Sequence, residues 1–292
     1  MQRVHLLLIG LAAGFATALG VAAEPAPAAQ KVLRYAFPVA ESAIDPARVS
    51  DLYSRTLTQH IFEGLYHYDH LARPVEIRPL TAAALPEVSP DFRVWTVRLQ
   101  PGTYFADDPA FRGKKRELVA QDYVYSFKRI ADPATQSPVW SELQAYRLVG
   151  LEELRQAALD RHQRFDYDRE IPGVQALDRY TVRFTLADAR PRMIQLLAGG
   201  DLYGAVAREV IEYYGDAAGD HPVGTGPFKL VTWRRSSFLA LERNPQFRPT
   251  FYDAHPAPDD AEGQALAARF KGRRLPMVDR VEISIIEEGQ PR

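Results

Sequence analysis

Three arrangements of side chains in this 292-residue chain invite a chemical reading. Asp107-Asp108 is an adjacent acid pair. Neighbours on an extended chain point to opposite faces, so the two carboxylates cannot act together on one substrate. His67 and His70 flank Tyr68-Asp69, with His60 the nearest further imidazole. A metal ion needs a third and fourth ligand in a defined geometry, and this spacing fits no known ligand set. His67 and His70 are read as polar turn residues, and no metal or other cofactor is expected. A hydrolase needs a nucleophile, a base and a group that orients the base. The chain has no Gly-x-Ser-x-Gly, no His-Glu-x-x-His and no cysteine, so it is not expected to be an enzyme. The stretch with the most constrained backbone is His221-Pro-Val-Gly-Thr-Gly-Pro-Phe228. Gly224 and Gly226 flank Thr225 and permit positive φ and close backbone approach, which makes a tight loop. No Gly-Lys-Ser/Thr follows, so it is not a phosphate loop.

The elements that must hold this loop are legible from periodicity. Residues 228–233 and 238–242 read as two strands, the second stopped by Asn244-Pro245. Residues 31–37, 94–99, 180–186 and 278–286 read as further strands, with Trp95, Val97 and Leu99 on one face and Tyr180, Val182, Phe184 and Leu186 on another. Helical spacing covers 50–66, where Leu52, Leu57, Ile61, Phe62 and Leu65 recur, and 119–131, 148–159, 193–198 and 206–214. Gly215 is the stop of the last of these. Residues 253–276 are rich in Ala, Pro, Asp and Gly and read as a surface excursion.

Composition sets the class. The chain is 46% hydrophobic and 25% charged with a formal charge of −1, values of a globular protein of one large or two small domains. A nucleic-acid binder needs a basic patch, and the runs Lys114-Lys115-Arg116 and Lys271-Gly272-Arg273-Arg274 are too short for one. The N-terminus carries Arg3, then an uncharged, mostly apolar run over 6–23 that ends in Val21-Ala22-Ala23 and is followed by Glu24-Pro25-Ala26-Pro27. This is the pattern of a secretory signal peptide cleaved after Ala23. Without cysteine there is no site for a lipid anchor, so the mature chain is expected to be free in a bacterial periplasm.

The stretch from Pro222 to Trp233, with Leu241-Glu-Arg-Asn-Pro-Gln-Phe247, resembles the signature of one family: the extracellular solute-binding proteins of peptide and nickel ABC importers. The resemblance continues elsewhere. Phe62-Glu63-Gly64-Leu65-Tyr66 is similar to the family's Glu-Gly-Leu before a hairpin. Val119-Ala-Gln-Asp-Tyr-Val-Tyr-Ser-Phe-Lys-Arg129 is similar to a family helix, with Val119 where a capping threonine usually stands. Asp108 replaces a turn glycine, and the connection 109–117 and the excursion 253–276 are longer than their counterparts. The likeness runs over about residues 31–287.

It implies a mixed α/β fold: one lobe of the type II periplasmic-binding-protein kind, with an inserted subdomain and without the second lobe. The expected division is a signal peptide over 1–23, the first strand and loop of the lobe over 24–49, the inserted subdomain over 50–177, and the rest of the lobe over 178–292. The implied function is to bind a peptide or related solute and deliver it to a membrane permease, with no nucleic-acid partner. A further polypeptide would supply the second lobe. The implied ligand contacts are Glu41, Trp140, Gly224, Thr225 and Gly226. Glu41 also reads as a solvated loop acid, and Trp140 as a core tryptophan. A non-transporting remnant and a secreted peptidase are the alternative functions.

Overall fold

The computed structural model describes residues 30–161 and 163–287; the expected signal peptide lies outside the described residues. In chain order the strands and helices begin with β1 (Val32–Phe37), α1 (Leu52–Ile61), β2 (Tyr66–Tyr68), β3 (Ile77–Pro79), β4 (Glu87–Val88) and β5 (Val94–Arg98). Next come α2 (Ala120–Ala131), α3 (Trp140–Ala145), α4 (Leu151–Arg161), β6 (Val174–Asp178) and β7 (Thr181–Thr185). Three short helices follow, α5 (Met193–Leu197), α6 (Gly200–Tyr203) and α7 (Arg208–Tyr214). The chain then forms β8 (Phe228–Arg234), β9 (Phe238–Arg243), β10 (Thr250–Phe251), α8 (Ala261–Phe270), β11 (Arg274–Leu275) and β12 (Arg280–Ile285).

Two four-stranded sheets organise these elements. The first has the order β1-β12-β9-β8, with β1 parallel to β12 and the other pairs antiparallel. Its register brings apolar residues into rows: Leu33 lies beside Val281 and Leu241, and Tyr35 beside Ile283 and Leu239. Side chains alternate along a strand, so these rows share one face. The opposite face is charged, with Arg34 paired to Glu282, and Arg280 to Glu242 and Glu282. α1 lays Leu57 and Ile61 on the apolar face, against Phe37, Phe228 and Leu239.

The second sheet has the order β4-β5-β7-β6 and is antiparallel throughout. Trp95 faces Phe184 and Val97 faces Val182, and α2 packs Tyr123, Val124, Phe127 and Ile130 into the same core. Packing divides the chain differently from the expected boundary at 177. β7 bonds to both β5 and β6, and the core of the second sheet continues through Leu202 to Val210. α1, expected inside the inserted unit, belongs to the core of the first sheet.

α1 is also shorter than its periodicity predicts. It starts at an Asp51 cap, whose Oδ1 accepts the Ser54 N–H at 2.8 Å, and stops at Ile61 because Phe62 is extended. The chain there threads past α6. A Cβ on Gly200 would lie 2.5 Å from the Gly64 nitrogen, so the two backbones touch in a way a helical turn at 62–66 would prevent. The excursion 253–276 is partly regular, since Asp260 caps α8 by accepting the Gly263 N–H at 2.8 Å and Arg274–Leu275 pairs with Thr250–Phe251.

Candidate functional site

α1 covers only part of the apolar face of the first sheet. Beside it runs a groove of about 1750 Å³. Its walls are the β1 and β12 face, α1, the β2–β3 hairpin, the segment 247–254 and α8. Large apolar side chains stand open along it: Leu52 is 70% exposed, Tyr35 60% and Phe251 55%. Contiguous apolar exposure of this kind is uncommon on a monomer and marks a place where something docks.

The charged groups of the groove are engaged with one another. Glu63 is buried and accepts two bonds from the Arg248 guanidinium, at 2.7 and 3.0 Å. Arg248 also donates to the Leu80 carbonyl at 2.8 Å. Asp69 is buried and accepts the His255 backbone N–H at 2.9 Å, with the Arg78 guanidinium 3.5 Å away. Burial alone would raise the Asp69 carboxyl, but the N–H of Leu71 and the His255 contacts outweigh it and hold the group below its ordinary value. Desolvation by the surrounding walls lowers the half-buried His67 imidazole, which favours its neutral form; the His60 imidazole is lowered in the same direction although that residue is open to solvent. His60 meets the Phe228 ring edge-on at 6.2 Å.

The loop of Gly224, Thr225 and Gly226 packs behind this groove, on the last turn of α1. The Gly226 N–H donates to the Ile61 carbonyl at 2.8 Å, and a Cβ on Gly224 would lie 1.9 Å from that same oxygen. Neither glycine has a positive φ; those that do, among the described residues, are Gly102, Gly113, Gly150, Gly215 and Gly272. Close approach, and not a left-handed turn, is what requires glycine here. Thr225 is 1% exposed and donates to Glu63 Oε2 at 2.8 Å. Asn244, from the second half of the signature, donates to the Gly226 carbonyl at 2.9 Å. The two halves of the signature thus close on each other.

Glu41 lies past the end of β1 and is 7% exposed. It accepts the Trp233 indole N–H on Oε1, while its Oε2 is buried without a hydrogen-bond partner. Trp140 opens α3, half-buried against the core of the second sheet, with the Arg155 guanidinium 4.9 Å above its ring. The structure does not bring the five residues together: Glu41 sits by the end of β8 at Trp233, the glycine loop precedes its start, and Trp140 belongs to the other core. None of the five lines the groove. Glu63, Arg248, Leu52 and α8, which do, were not singled out by sequence reasoning. Glu63 and Phe247-Arg248 sit within or beside the quoted motifs, which is the one signal that pointed to them.

His70 Nε2 lies 3.0 Å from the Tyr252 hydroxyl, and no group of three His, Cys, Asp or Glu among the described residues is placed to hold a metal ion. Asp107 accepts from Gln246 at 2.8 Å, and Asp108 caps the turn at 109–111 and accepts from the Tyr214 hydroxyl at 3.1 Å, so the acid pair is divided between separate structural tasks.

Comparison with known proteins gives a consistent relationship. Residues 76–292 match the family model described as bacterial extracellular solute-binding proteins, family 5 Middle. The chain is 30% identical over 210 residues to the periplasmic oligopeptide-binding protein OppA of Salmonella typhimurium, a match covering 70% of this chain and 34% of that protein. It is 24% identical over 202 residues to the glutathione-binding protein GsiB of Pectobacterium atrosepticum, covering 69% and 32%. Among solved structures, DppA of Helicobacter pylori in complex with the peptide STSA superposes with a TM-score of 0.64 at 26% identity, covering 90% of this chain and 44% of that one. Haemophilus influenzae OppA in complex with RPPGFSPFR gives 0.66 at 20% identity, covering 88% and 42%, which shows the fold. The chain spans about a third of the length of the curated relatives it matches.

Proposed function

Because the chain belongs to the family 5 bacterial extracellular solute-binding proteins, we propose that it is the first lobe of the binding component of an ABC importer. It takes a peptide or related solute in the groove beside α1 and delivers it to a membrane permease. The observation that carries this reading is the open apolar groove, with Leu52, Tyr35 and Phe251 exposed on three of its walls. The printed names of the relatives speak of oligopeptide and glutathione binding, which supports a peptide as ligand. The opposite side of the ligand is assigned to a second lobe, on the same or another polypeptide. Export fits the apolar run over 6–23, and no helix among the described residues is long and apolar enough to cross a membrane.

Glu41 lies outside the groove, and because its Oε2 has no partner within the protein it is proposed as an acceptor for a ligand N–H where the solute extends past the end of β1. A buried carboxylate oxygen left without a donor is costly. Gly224, Thr225 and Gly226 are proposed to act from behind, fixing Glu63 and with it the wall that carries Arg248. Trp140 is proposed to support that architecture from the second core. The test is mass spectrometry of material co-purified with the protein from its native periplasm. Peptides or related small solutes are expected. Protein free of any solute, or hydrolysis of a chromogenic peptide that is lost on changing Glu41 or Thr225, would overturn the reading.

A further inference from the structure

The charge arrangement of the groove narrows the ligand class. Three carboxylates and two guanidiniums line it: Glu63, Asp69 and Asp253, with Arg78 and Arg248. Arg248 is held by Glu63 through two bonds and by the Leu80 carbonyl through a third. Arg78 is held among Asp69, the Asp253 carbonyl and His255. A ligand carboxylate entering the groove therefore meets no uncommitted guanidinium. It would have to displace a buried or half-buried partner, leaving that carboxylate alone in a poorly solvated place. A ligand cation fares little better. Glu63 and Asp69 are buried and already paired, and Asp253 stands at the solvent-exposed rim, where an ion pair contributes little. The polar groups left are neutral hydroxyls and amides, among them Tyr53, Thr56, Gln59, Gln100 and Thr250, together with imidazoles, of which the half-buried His67 is favoured as neutral.

The rest of the surface is aliphatic and aromatic, from Leu33, Tyr35 and Leu52 on one side to Phe251, Leu266 and Phe270 on the other. A volume of about 1750 Å³ exceeds the roughly 300–1,000 Å³ of a usual small-ligand pocket, so it suits an extended chain and not a single amino acid. We infer that the groove selects peptides whose side chains are bulky and uncharged, and discriminates against acidic and basic ones. The discrimination is by exclusion: a charged side chain would lose its hydration and find no unpaired counter-charge. This inference rests on the reading that the groove is where the solute binds.

The test is calorimetric titration of the complete natural chain with three capped pentapeptides of alanine. Their second and fourth residues are both phenylalanine, both glutamate or both lysine. The phenylalanine peptide is expected to bind at least about tenfold more tightly than either charged one. Equal binding of a charged peptide overturns the inference and leaves the importer reading intact. Absence of binding by all three overturns the inference together with the reading beneath it. A variant separates charge from shape. Leu52 is exposed, so Leu52→Lys should leave folding unaffected while placing a free cation in the groove. It is expected to weaken the phenylalanine peptide about tenfold and to bring the glutamate peptide above it. An unchanged order of affinities in Leu52→Lys would overturn the inference.

Discussion

Replacing Gly224 by alanine places a methyl carbon 1.9 Å from the Ile61 carbonyl oxygen and 2.6 Å from its carbon. Both are backbone atoms at the end of α1, so no side-chain rotation relieves the contact. Restoring an ordinary carbon–oxygen separation of roughly 3.3 Å requires a shift of about 1.4 Å between the loop and the helix. That shift stretches the Gly226 N–H bond to the same carbonyl, now 2.8 Å, and pulls Thr225 away from Glu63. Overpacking costs about 1–3 kcal/mol and one lost hydrogen bond about 1 kcal/mol, for a total near 2–4 kcal/mol. At about 2–4 °C per kcal/mol, Tm should fall by about 4–16 °C. Thermal unfolding followed by circular dichroism measures this. Gly219→Ala is the internal control, since a Cβ there meets nothing within 4 Å and its φ lies outside the left-handed region. It should leave Tm unchanged or raise it slightly, by lowering the entropy of the unfolded chain. If Gly224→Ala melts within about 1 °C of the parent, the close-approach account of this signature is wrong.

The buried pair of Asp45 and Arg129, joined by two bonds of 2.8 Å, should cost about 3–5 kcal/mol when Asp45→Ala strands the guanidinium. Burial alone would raise the Asp45 carboxyl, but Arg129 outweighs it and depresses the folded value. The pair's contribution is therefore present above the unfolded value near 3.9 and lost as pH falls through the folded one. Denaturant midpoints between neutral and acid pH should fall less steeply in Asp45→Asn than in the parent, and parallel curves would contradict this. N-terminal sequencing of periplasmic protein should begin at Glu24; an intact Met1 in the membrane fraction would refute cleavage. If, as proposed, a second lobe supplies the other side of the site, calorimetry on residues 24–292 alone should find peptide binding no tighter than about millimolar, each tenfold corresponding to about 1.4 kcal/mol. A micromolar constant for that polypeptide would show that one lobe suffices.

Local pattern carried the strands well. Trp95 and Val97 alternate because the second sheet buries one face, while Leu33, Tyr35 and Phe37 share the apolar face of the first sheet, where only Phe37 is covered and the other two stand open at the groove. The signature around Gly224 was readable as a tight loop, but its cause was not, since the carbonyl that excludes a side chain belongs to Ile61, far away in sequence. Helical spacing grouped Leu52 with Leu57 and Ile61, yet Leu52 stands open at the groove while the other two are buried. Spacing assigns a residue to a stripe, not to how far a neighbouring element extends over it. The groove itself arises from segments spread from β1 to β12, and the pairing of Glu63 with Arg248 spans 185 positions. No local pattern encodes such a meeting. α8 was hidden in a stretch whose Ala, Gly and Asp content reads as loop until Asp260 is seen capping it.

The central claim is that the groove beside α1 is where solute binds, and photo-crosslinking tests it most directly, because it captures weak complexes. A pentapeptide carrying a photoreactive phenylalanine is irradiated with the complete natural chain, and the adducts are mapped by mass spectrometry. Adducts are expected on the groove walls, at Leu52, Tyr35, Phe251 or Phe270, and should be lost when an unlabelled apolar peptide competes. Competable adducts confined to residues outside the groove would contradict it.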